Sequence, residues 1–600
     1  MKIIAGIDIG NATTETAVGR VLEDGTVKFL SDALVTTTGI KGTRDNIPGI
    51  FNSLNKALEK AGLLITDLSL IRINEAAPVI GDVAMETITE TIITESTMIG
   101  HNPRTPGGLG IGVGKGVVLA DLETIPPGED VIVLLPREVG FQESAERINR
   151  AMEKGVSVKG AIAANDDGVL IVNRLKRPIP IVDEVTLFEK IPQGMLTAIE
   201  VAHVGAVVEV LSNPYGIATL FNLDSEETKF VVPIARALIG NRSAVVIKTP
   251  KGDVKLRSIP AGEIQVVGEN RRLKVNVDDG AQSLMKAMAQ CQPVKDIVGE
   301  PGTNAGGMLE RIRHVMANLT GQNYNDIKIQ DLLAVDTISP QKVTGGLAGE
   351  FSMESAVGVA AMVKADRLQM ELIAHAMEER LGVRVEVGGV EAQMAIKGAL
   401  TTPGTDVPLA ILDMGAGSTD ASLMTRDGRV HLVHLAGAGN MVTLLIQTEL
   451  GLESFDLAED IKKYSLAKAE SLFHIRHEDG SVEFFEKPLD PKLFARVVIL
   501  KEEGMVPIQA DLSIEKIKFV RKKAKEKVFV TNALRALSQV SLTGDIRGIE
   551  HVVLVGGSAL DFEVPQLVTD ALAEYGVVAG RGNIRGSLGP RNAVATGLVL

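Results

Sequence analysis

Tryptophan is absent from the 600 residues, and tyrosine occurs only four times. So few rings argue against a stacking surface for single-stranded nucleic acid. A net charge of −14 argues against a polyanion as the main partner. Cysteine occurs once, at Cys291, which excludes an intramolecular disulfide framework and fits a reducing compartment. A lone cysteine of this kind reads as a small buried apolar residue. No apolar run approaches the roughly 18 residues that span a bilayer. The N-terminus enters a strand at once, without a signal-peptide layout. The expectation is a cytoplasmic protein with neither nucleic acid nor membrane as partner. What remains is 45% hydrophobic residues and 61 glycines, the composition of a compact α/β protein. Its length suggests roughly four domains.

One stretch organises the chain. Asp413-Met414-Gly415-Ala416-Gly417-Ser418-Thr419-Asp420 follows the apolar run Pro408–Leu412 and precedes a second strand. Asp8-Ile9-Gly10-Asn11-Ala12-Thr13-Thr14-Glu15 has the same layout after the strand Lys2 to Ile7. In register, Asp8 matches Asp413, Gly10 matches Gly415, and Thr13 and Thr14 match Ser418 and Thr419. Glu15 matches Asp420. Each second strand then reaches an Asp-Gly pair, Asp24-Gly25 or Asp427-Gly428, a hairpin signal whose two positions are expected at positive φ. The chain thus holds two copies of one β-meander.

A glycine at a hairpin tip lets backbone N–H groups approach an anion, and the neighbouring hydroxyls add donors. Asp8 and Asp413 end their strands facing one cleft if the copies pack about a pseudo-two-fold axis. Two carboxylates opposite phosphates call for a cation between them, and Mg²⁺ suits few carboxylates and several waters.

A third piece fits this scheme. Val552-Val553-Leu554-Val555-Gly556-Gly557-Ser558-Ala559 runs a buried strand into a Gly-Gly turn that allows close approach to a flat ring or sugar. A helix follows from Pro565 to Tyr575. Gly589-Pro590-Arg591-Asn592 opens a last helix of small residues. Two phosphate hairpins followed by a strand–Gly-Gly–helix unit resemble the actin, sugar-kinase and heat-shock-chaperone ATPase superfamily, in the right order.

Between these motifs the pattern divides the chain. Residues 1–90 read as the first part of the ATPase core, with a helix from Gly49 to Leu58 and a strand from Asp67 to Asn74. Residues 91–255 read as an inserted α/β domain. Its Gly110-Ile111-Gly112-Val113-Gly114-Lys115-Gly116 fits neither the P-loop nor the dinucleotide fingerprint, and reads as a flexible loop before a strand at Val117–Ala120. Strands are expected at Val131–Leu135, Gly160–Ala163 and Gly168–Val172, and a helix at Phe141–Lys154. Asn165-Asp166-Asp167-Gly168 is a turn, followed by the carboxylates of Asp183 and Glu184. The set is either a solvated turn or a hard-cation site built on Asp166, Asp183 and a hydroxyl or carbonyl oxygen.

Residues 256–404 read as core and connecting segments. Helices are expected at Leu284–Cys291 and Ala305–Leu319, a loop at Gly345-Gly346, and long helical segments from Met353 to Leu381. Val390–Ala399 resembles the connecting helix before the second hairpin, with Glu391 as a candidate water-polarising carboxylate. Residues 405–455 hold that hairpin. Residues 456–545 open on a helix at Leu457–Tyr464, and residues 546–600 close the core. His474 and His477 lack a third ligand and read as an exposed hairpin. The basic run Lys516–Lys527 reads as a solvated helix face.

Several longer stretches narrow the resemblance: Arg72–Thr87, Ser212–Thr219, Ile329–Thr337 and Arg581–Ser587. With the ATPase motifs they resemble the large subunit of the reactivating factors for adenosylcobalamin-dependent diol and glycerol dehydratases, over essentially the whole chain. The resemblance implies an actin-like ATPase core of duplicated ribonuclease-H-like lobes with an inserted α/β swivelling domain. It implies a chaperone-like ATPase that binds the inactivated dehydratase and lets damaged cobalamin leave, so that intact cofactor enters. The implied partners are a small β subunit, in an α2β2 heterotetramer, and the dehydratase. Nucleotide (ATP/ADP) contacts would fall on Asn11, Ala12 and Thr13, on Glu459, Asp460, Ile461 and Lys462, and on Gly557, Ser558 and Arg591. Asp8 and Asp413 would hold the nucleotide's Mg²⁺. A second divalent cation, Mg²⁺ or Ca²⁺, would fall on Thr105, Asp166 and Asp183, near the small subunit. No lysine can be placed facing the phosphates as in the heat-shock proteins, which implies slow turnover. A small-molecule kinase on the same fold is the alternative, though it lacks a convincing catalytic aspartate; a filament-forming relative of actin is a third class. Diol or glycerol dehydratase as client, and free or microcompartment-bound location in the cytoplasm, stay open.

Overall fold

A computed structural model describes residues 2–600 except 86, 90–95, 99–100, 102–104, 186–187, 226, 229–230, 232–233, 236–237, 249–257, 343–350, 365–366 and 509–511. The Gly345-Gly346 loop lies outside these residues, as does Glu86 in the stretch Arg72–Thr87. Among the described residues no helix is long and apolar enough to cross a membrane.

Two five-stranded sheets share one strand plan. The first runs Val385–Val390, Leu70–Glu75, Lys2–Ile9, Thr13–Val21, Val27–Thr36. The second runs Val578–Arg581, His551–Val555, Leu409–Met414, Ser418–Met424, Val430–Ala436. In each, a three-stranded antiparallel meander continues into two parallel strands. The registers agree residue for residue: Asp8 stands opposite Glu15, and Asp413 opposite Asp420. Gly10 N–H donates to Thr13 O at 3.0 Å, and Gly415 N–H to Ser418 O at 3.0 Å. The Asp-Gly turns also match, but only the glycine of each takes a positive φ, 84° at Gly25 and 80° at Gly428. Each glycine N–H reaches back three residues, to Leu22 O or Thr425 O. These are type I turns closed by a left-handed glycine, so the aspartates need no unusual backbone.

Two short helices join the sheets. Ala593–Val599 packs on the first sheet, where a Cβ at Gly6 would lie 2.4 Å from Ala595 O. Glu391–Ala399 packs on the second, with the Ser422 hydroxyl donating to Ala392 O at 2.5 Å. The helices cross backbone to backbone: a Cβ at Gly398 would meet Ala593 O at 1.9 Å, and one at Gly597 would meet Met394 O at 1.9 Å. Glycine is required at both positions for that approach.

The inserted domain is a seven-stranded mixed sheet, ordered Ile181–Val182, Ser157–Ala163, Asp130–Leu135, Gly110–Val118, Leu196–Val201, Ser243–Lys248, Ser96–Met98. Its glycine-rich segment is a central strand, Gly110–Val118, rather than a loop. A Cβ at Gly112 would lie 2.2 Å from Lys159 O, so these glycines serve close packing of backbone. Gly168–Val172, expected as a strand, is a single helical turn, and the Asn165–Gly168 turn leads into it. The expected helical run from Met353 begins as a strand, Phe351–Val363, between Ile329–Lys342 and Val79–Met85. Among the described residues of that run, only Arg367–Leu381 is helical. The run Lys516–Lys527 is helical through Lys525; Lys518, Lys522 and Lys523 form the expected solvated face, but Arg521 and Lys525 are fully buried on the other side.

Candidate functional site

The tips of the two hairpins meet. A Cβ at Gly417 would lie 2.4 Å from the carboxamide carbon of Asn11. Around this contact opens a cleft of about 330 Å³ lined by both phosphate-type loops, the Gly556-Gly557 turn and the start of the last helix. Asp8, Asn11, Ala12, Thr13, Glu391 and Asp413 line it, as do Glu459, Lys462, Gly557, Ser558 and Arg591. Asp460 and Ile461 do not. Asp460 turns to Lys501, 2.9 Å away, and Ile461 is buried in the core. On a helix, Glu459 and Lys462 share one face and the two intervening residues fall on others.

The cleft is rich in carboxylates. Asp8 accepts from the Asn74 amide at 2.8 Å. Burial, and then the charge of Glu391, raise its carboxyl well above the ordinary range; Glu15 and Asp413 add to this and Lys41 opposes it. Asp413 is pushed up to about 7, first by burial and then by Glu391 and Glu15. Four acids therefore face one small volume, and each makes the next harder to ionise. The arrangement favours a bound cation.

Cations reach the cleft from three sides. Lys41 Nζ lies 2.5 Å from Glu391 Oε2, and the pair is almost wholly buried. Lys462 Nζ donates to Gly439 O at 3.0 Å, Thr443 Oγ1 at 2.8 Å and Glu459 Oε2 at 2.6 Å. Burial works against the Glu459 charge, yet Lys462, with help from Lys463 and Thr443, holds its carboxyl at about 2. Arg591 donates to Thr13 Oγ1 at 3.1 Å and Glu15 Oε1 at 3.0 Å. The Asn592 N–H donates to Glu15 Oε2 at 2.6 Å, fastening the last helix to the first hairpin. The Gly557 turn admits a flat group, but here that group is the Arg591 guanidinium, 2.9 Å from an ideal Cβ at Gly557. Ser558 Oγ donates to Gly415 O at 2.9 Å, so the Gly-Gly turn is bonded to the second hairpin.

Lys41 escaped the sequence reading, as did the site position of Glu15. Lys41 sits in an ordinary loop, Ile40-Lys41-Gly42-Thr43, and its partner is 350 positions away. Glu15 had a signal, its match to Asp420 in the repeat. Asp420 lies beneath the second hairpin, in contact with His434 Nδ1 and 3.3 Å from Ser418 Oγ.

The inserted domain gathers a second acidic group. Ligand oxygens of Asp166, Asp183 and Glu184 lie within 4.8 Å of one another, the one such cluster among the described residues. The Thr105 hydroxyl lies 3.1 Å from Asp183 Oδ1 and 2.9 Å from Glu184 Oε2. Gly168 N–H donates to Asp183 Oδ2 at 2.9 Å. Burial pushes Asp183 up to about 7 despite both bonds. Thr105, Asp166 and Asp183 thus come together, and Glu184 joins them at a left-handed φ of 51°. An all-oxygen donor set with one buried carboxylate fits a hard divalent cation. His474 and His477 bond instead to Ser471 and Glu483 in a hairpin.

Residues 275–600 match the family described as "Diol dehydratase reactivase ATPase-like domain", and residues 93–254 match "DD-reactivating factor swiveling domain". The chain is 60% identical over its full length to the propanediol dehydratase-reactivating factor large subunit of Salmonella typhimurium, covering 98% of that protein. It is likewise 60% identical, over 98% of the relative, to the diol dehydratase-reactivating factor large subunit of Klebsiella michiganensis. Among solved structures, a glycerol dehydratase reactivase is 62% identical with a TM-score of 0.71, covering 100% of this chain and 99% of that one. A diol dehydratase-reactivating factor in nucleotide-free form is 60% identical with a TM-score of 0.72 at the same coverage. With both family matches and full-length identity at this level, the chain belongs to the family of dehydratase-reactivating factor large subunits.

Proposed function

We propose that the chain binds ATP in the cleft between the two hairpins, hydrolyses it, and uses nucleotide state to reactivate an inactivated adenosylcobalamin-dependent diol or glycerol dehydratase. The observation that carries this reading is the convergence of Asp8 and Asp413, from two copies of one hairpin, on a single cleft. Full-length kinship to reactivating factors favours it over a small-molecule kinase.

The donor set fits Mg²⁺. Asp8 and Asp413 would hold it directly or through water, and it supplies neutralisation of the phosphate charge. The remaining work falls to the chain. The N–H groups and hydroxyls of Asn11, Ala12, Thr13 and Ser418 cradle phosphate oxygens. Glu459, Lys462, Gly557, Ser558 and Arg591 hold the nucleoside end. Lys41 offers a buried cation that exchanges Glu391 for a phosphate oxygen. Glu391, released, orients a water and accepts its proton as general base. Turnover is slow because that exchange opens a desolvated ion pair.

Nucleotide state then sets affinity for the dehydratase, a population shift that requires each state to bind the client differently. The chain acts with a small subunit, in an α2β2 assembly, and damaged cobalamin leaves while intact cofactor enters. Thr105, Asp166, Asp183 and Glu184 would hold a second divalent cation, which would cross-link these oxygens on the small-subunit side of the inserted domain. The protein works in the cytoplasm. The decisive experiment follows cobalamin release from inactivated dehydratase with and without ATP and the small subunit. Release that needs both supports the reading; equal release without ATP refutes the nucleotide's role.

A further inference from the structure

Helix Ile514–Lys525 buries two charges that a basic, polar-looking helix would normally show to water. Arg521 and Lys525, one turn apart, have fully buried side chains. The Arg521 guanidinium grips Glu563 through two nitrogens, at 2.9 and 3.0 Å, and Glu478 at 2.8 Å. Lys525 Nζ lies 2.8 Å from both Asp561 Oδ1 and Glu563 Oε2. The Phe562 ring covers both cations, its centroid 4.8 Å from Arg521 Cζ and 4.4 Å from Lys525 Nζ. Such contacts strengthen when water is excluded.

One acid of this cluster, Asp561, belongs to the wall of the nucleotide cleft, and Glu563 follows it two residues on. Ser558, Leu560 and Asp561 line that cleft, and Asp561 Oδ1 also accepts from Glu563 N at 2.8 Å and Val564 N at 3.0 Å. The two cations therefore hold the Gly557–Glu563 turn in one shape. The other end of the same helix touches the inserted domain. Its capping residue Ser513 donates to Gly240 O at 3.4 Å, and a Cβ at Gly240 would lie 2.7 Å from Lys516 Cα. A helix of this length spans about 18 Å. Beyond Lys525 it continues through a π-turn, Glu526–Val530, a distortion common at functional sites.

Resting on the nucleotide reading above, we propose that Lys525 and Arg521 are positioning residues for the nucleoside wall. Helix Ile514–Lys525 is the strut that passes the position of that wall to the inserted domain at Gly240. A nucleotide that displaces Asp561 moves a helix clamped by a buried ionic network. Such a network shifts as a unit, because separating any one pair strands a charge.

The test uses the full chain carrying Glu143→Cys on the inserted domain and Glu371→Cys on the core, labelled for distance measurement by energy transfer. ADP affinity is read by calorimetry and ATP turnover by phosphate release. Lys525→Met is expected to weaken ADP binding at least tenfold and to raise KM for ATP with kcat within threefold. Lys525→Arg should restore most of the affinity. Gly240→Val should leave ADP affinity unchanged while abolishing the ADP-dependent change in distance. If Lys525→Met does not fold, Phe562→Ala replaces it, with an expected three- to fivefold loss of ADP affinity. Unchanged affinity in whichever of these variants folds overturns the positioning role. A preserved distance change in Gly240→Val overturns the strut, and so does a wild-type chain that binds ADP without any change in distance. A wild-type chain that binds no ADP instead sinks the nucleotide reading itself.

Discussion

Lys41 and Glu391, 350 residues apart in the chain, meet at 2.5 Å on the floor of the cleft. Both side chains are largely buried, so removing one charge strands the other. Lys41→Met should cost about 3–5 kcal/mol of stability, and adding Glu391→Leu should recover most of it. Urea unfolding of the two single variants and the double variant measures this. Under the proposed mechanism Glu391→Gln lowers kcat by about 100-fold or more with KM for ATP nearly unchanged. A wild-type kcat in that variant removes Glu391 from the chemistry.

Asp413→Asn separates catalysis from folding. The Asp413 carboxyl is buried and its pKa stands at about 7, so the ionised form is held against a desolvation cost. A neutral isostere removes that cost. The expected variant melts at or above the wild-type temperature and loses Mg²⁺-dependent ATP hydrolysis. Calorimetric melting and a phosphate-release assay on one preparation check both halves. Normal turnover would detach the second hairpin from the proposed chemistry.

Local chemistry made the hairpins and the Gly-Gly turn legible. Asp8-x-Gly10 and Asp413-x-Gly415 encode their own turns, and the copied spacing predicts a shared cleft. Long-range pairing hid the rest. Phe351–Val363 carries Ala, Met and Glu that suit a helix, yet partners as distant as Val79–Met85 make it a strand. Lys41 looks like any loop lysine until Glu391 arrives from the connecting helix. Arg521 and Lys525 read as solvated for the same reason, their acids lying some forty residues on, at Asp561 and Glu563.

The acidic cluster in the inserted domain predicts a cation-dependent melting temperature. Removing divalent ions with EDTA should destabilise the wild-type chain, and Ca²⁺ or Mg²⁺ should restore it. At a free concentration of 100 times Kd the gain is about 2.7 kcal/mol. Asp183→Ala should abolish the response, because Asp183 is the buried member of the set. Melting scans with and without EDTA on both proteins decide it; an equal response in the variant excludes this site.

Glu459 predicts an acid-side loss of stability. Its folded carboxyl sits at about 2, below the 4.5 of an ordinary glutamate, because the pull of Lys462 outweighs burial. The unfolded chain therefore takes up this proton first on acidification. Its stabilisation is complete above about pH 5 and is lost as pH falls toward 2. Urea midpoints between pH 5 and pH 3 should fall more steeply for the wild type than for Glu459→Gln. Parallel slopes would count against the ion pair.

Gly597 tests whether the helix crossing sets the cleft. A methyl group there would sit 1.9 Å from Met394 O, a backbone atom that cannot swing aside. Gly597→Ala must therefore push the helix Ala593–Val599 away from Glu391–Ala399. That displaces Arg591 from Thr13 and Glu15 at one end of the crossing and shifts Glu391 relative to Lys41 at the other. Overpacking of this kind costs about 1–3 kcal/mol. The expected variant loses that much in urea unfolding and shows both a raised KM for ATP and a lowered kcat, since groups at both ends of the cleft move together. Gly580→Ala is the matched control: nothing lies within 4 Å of its Cβ, so stability and turnover should stay near wild type. If Gly597→Ala loses stability yet keeps normal turnover, the crossing is a packing feature and the cleft is shaped elsewhere.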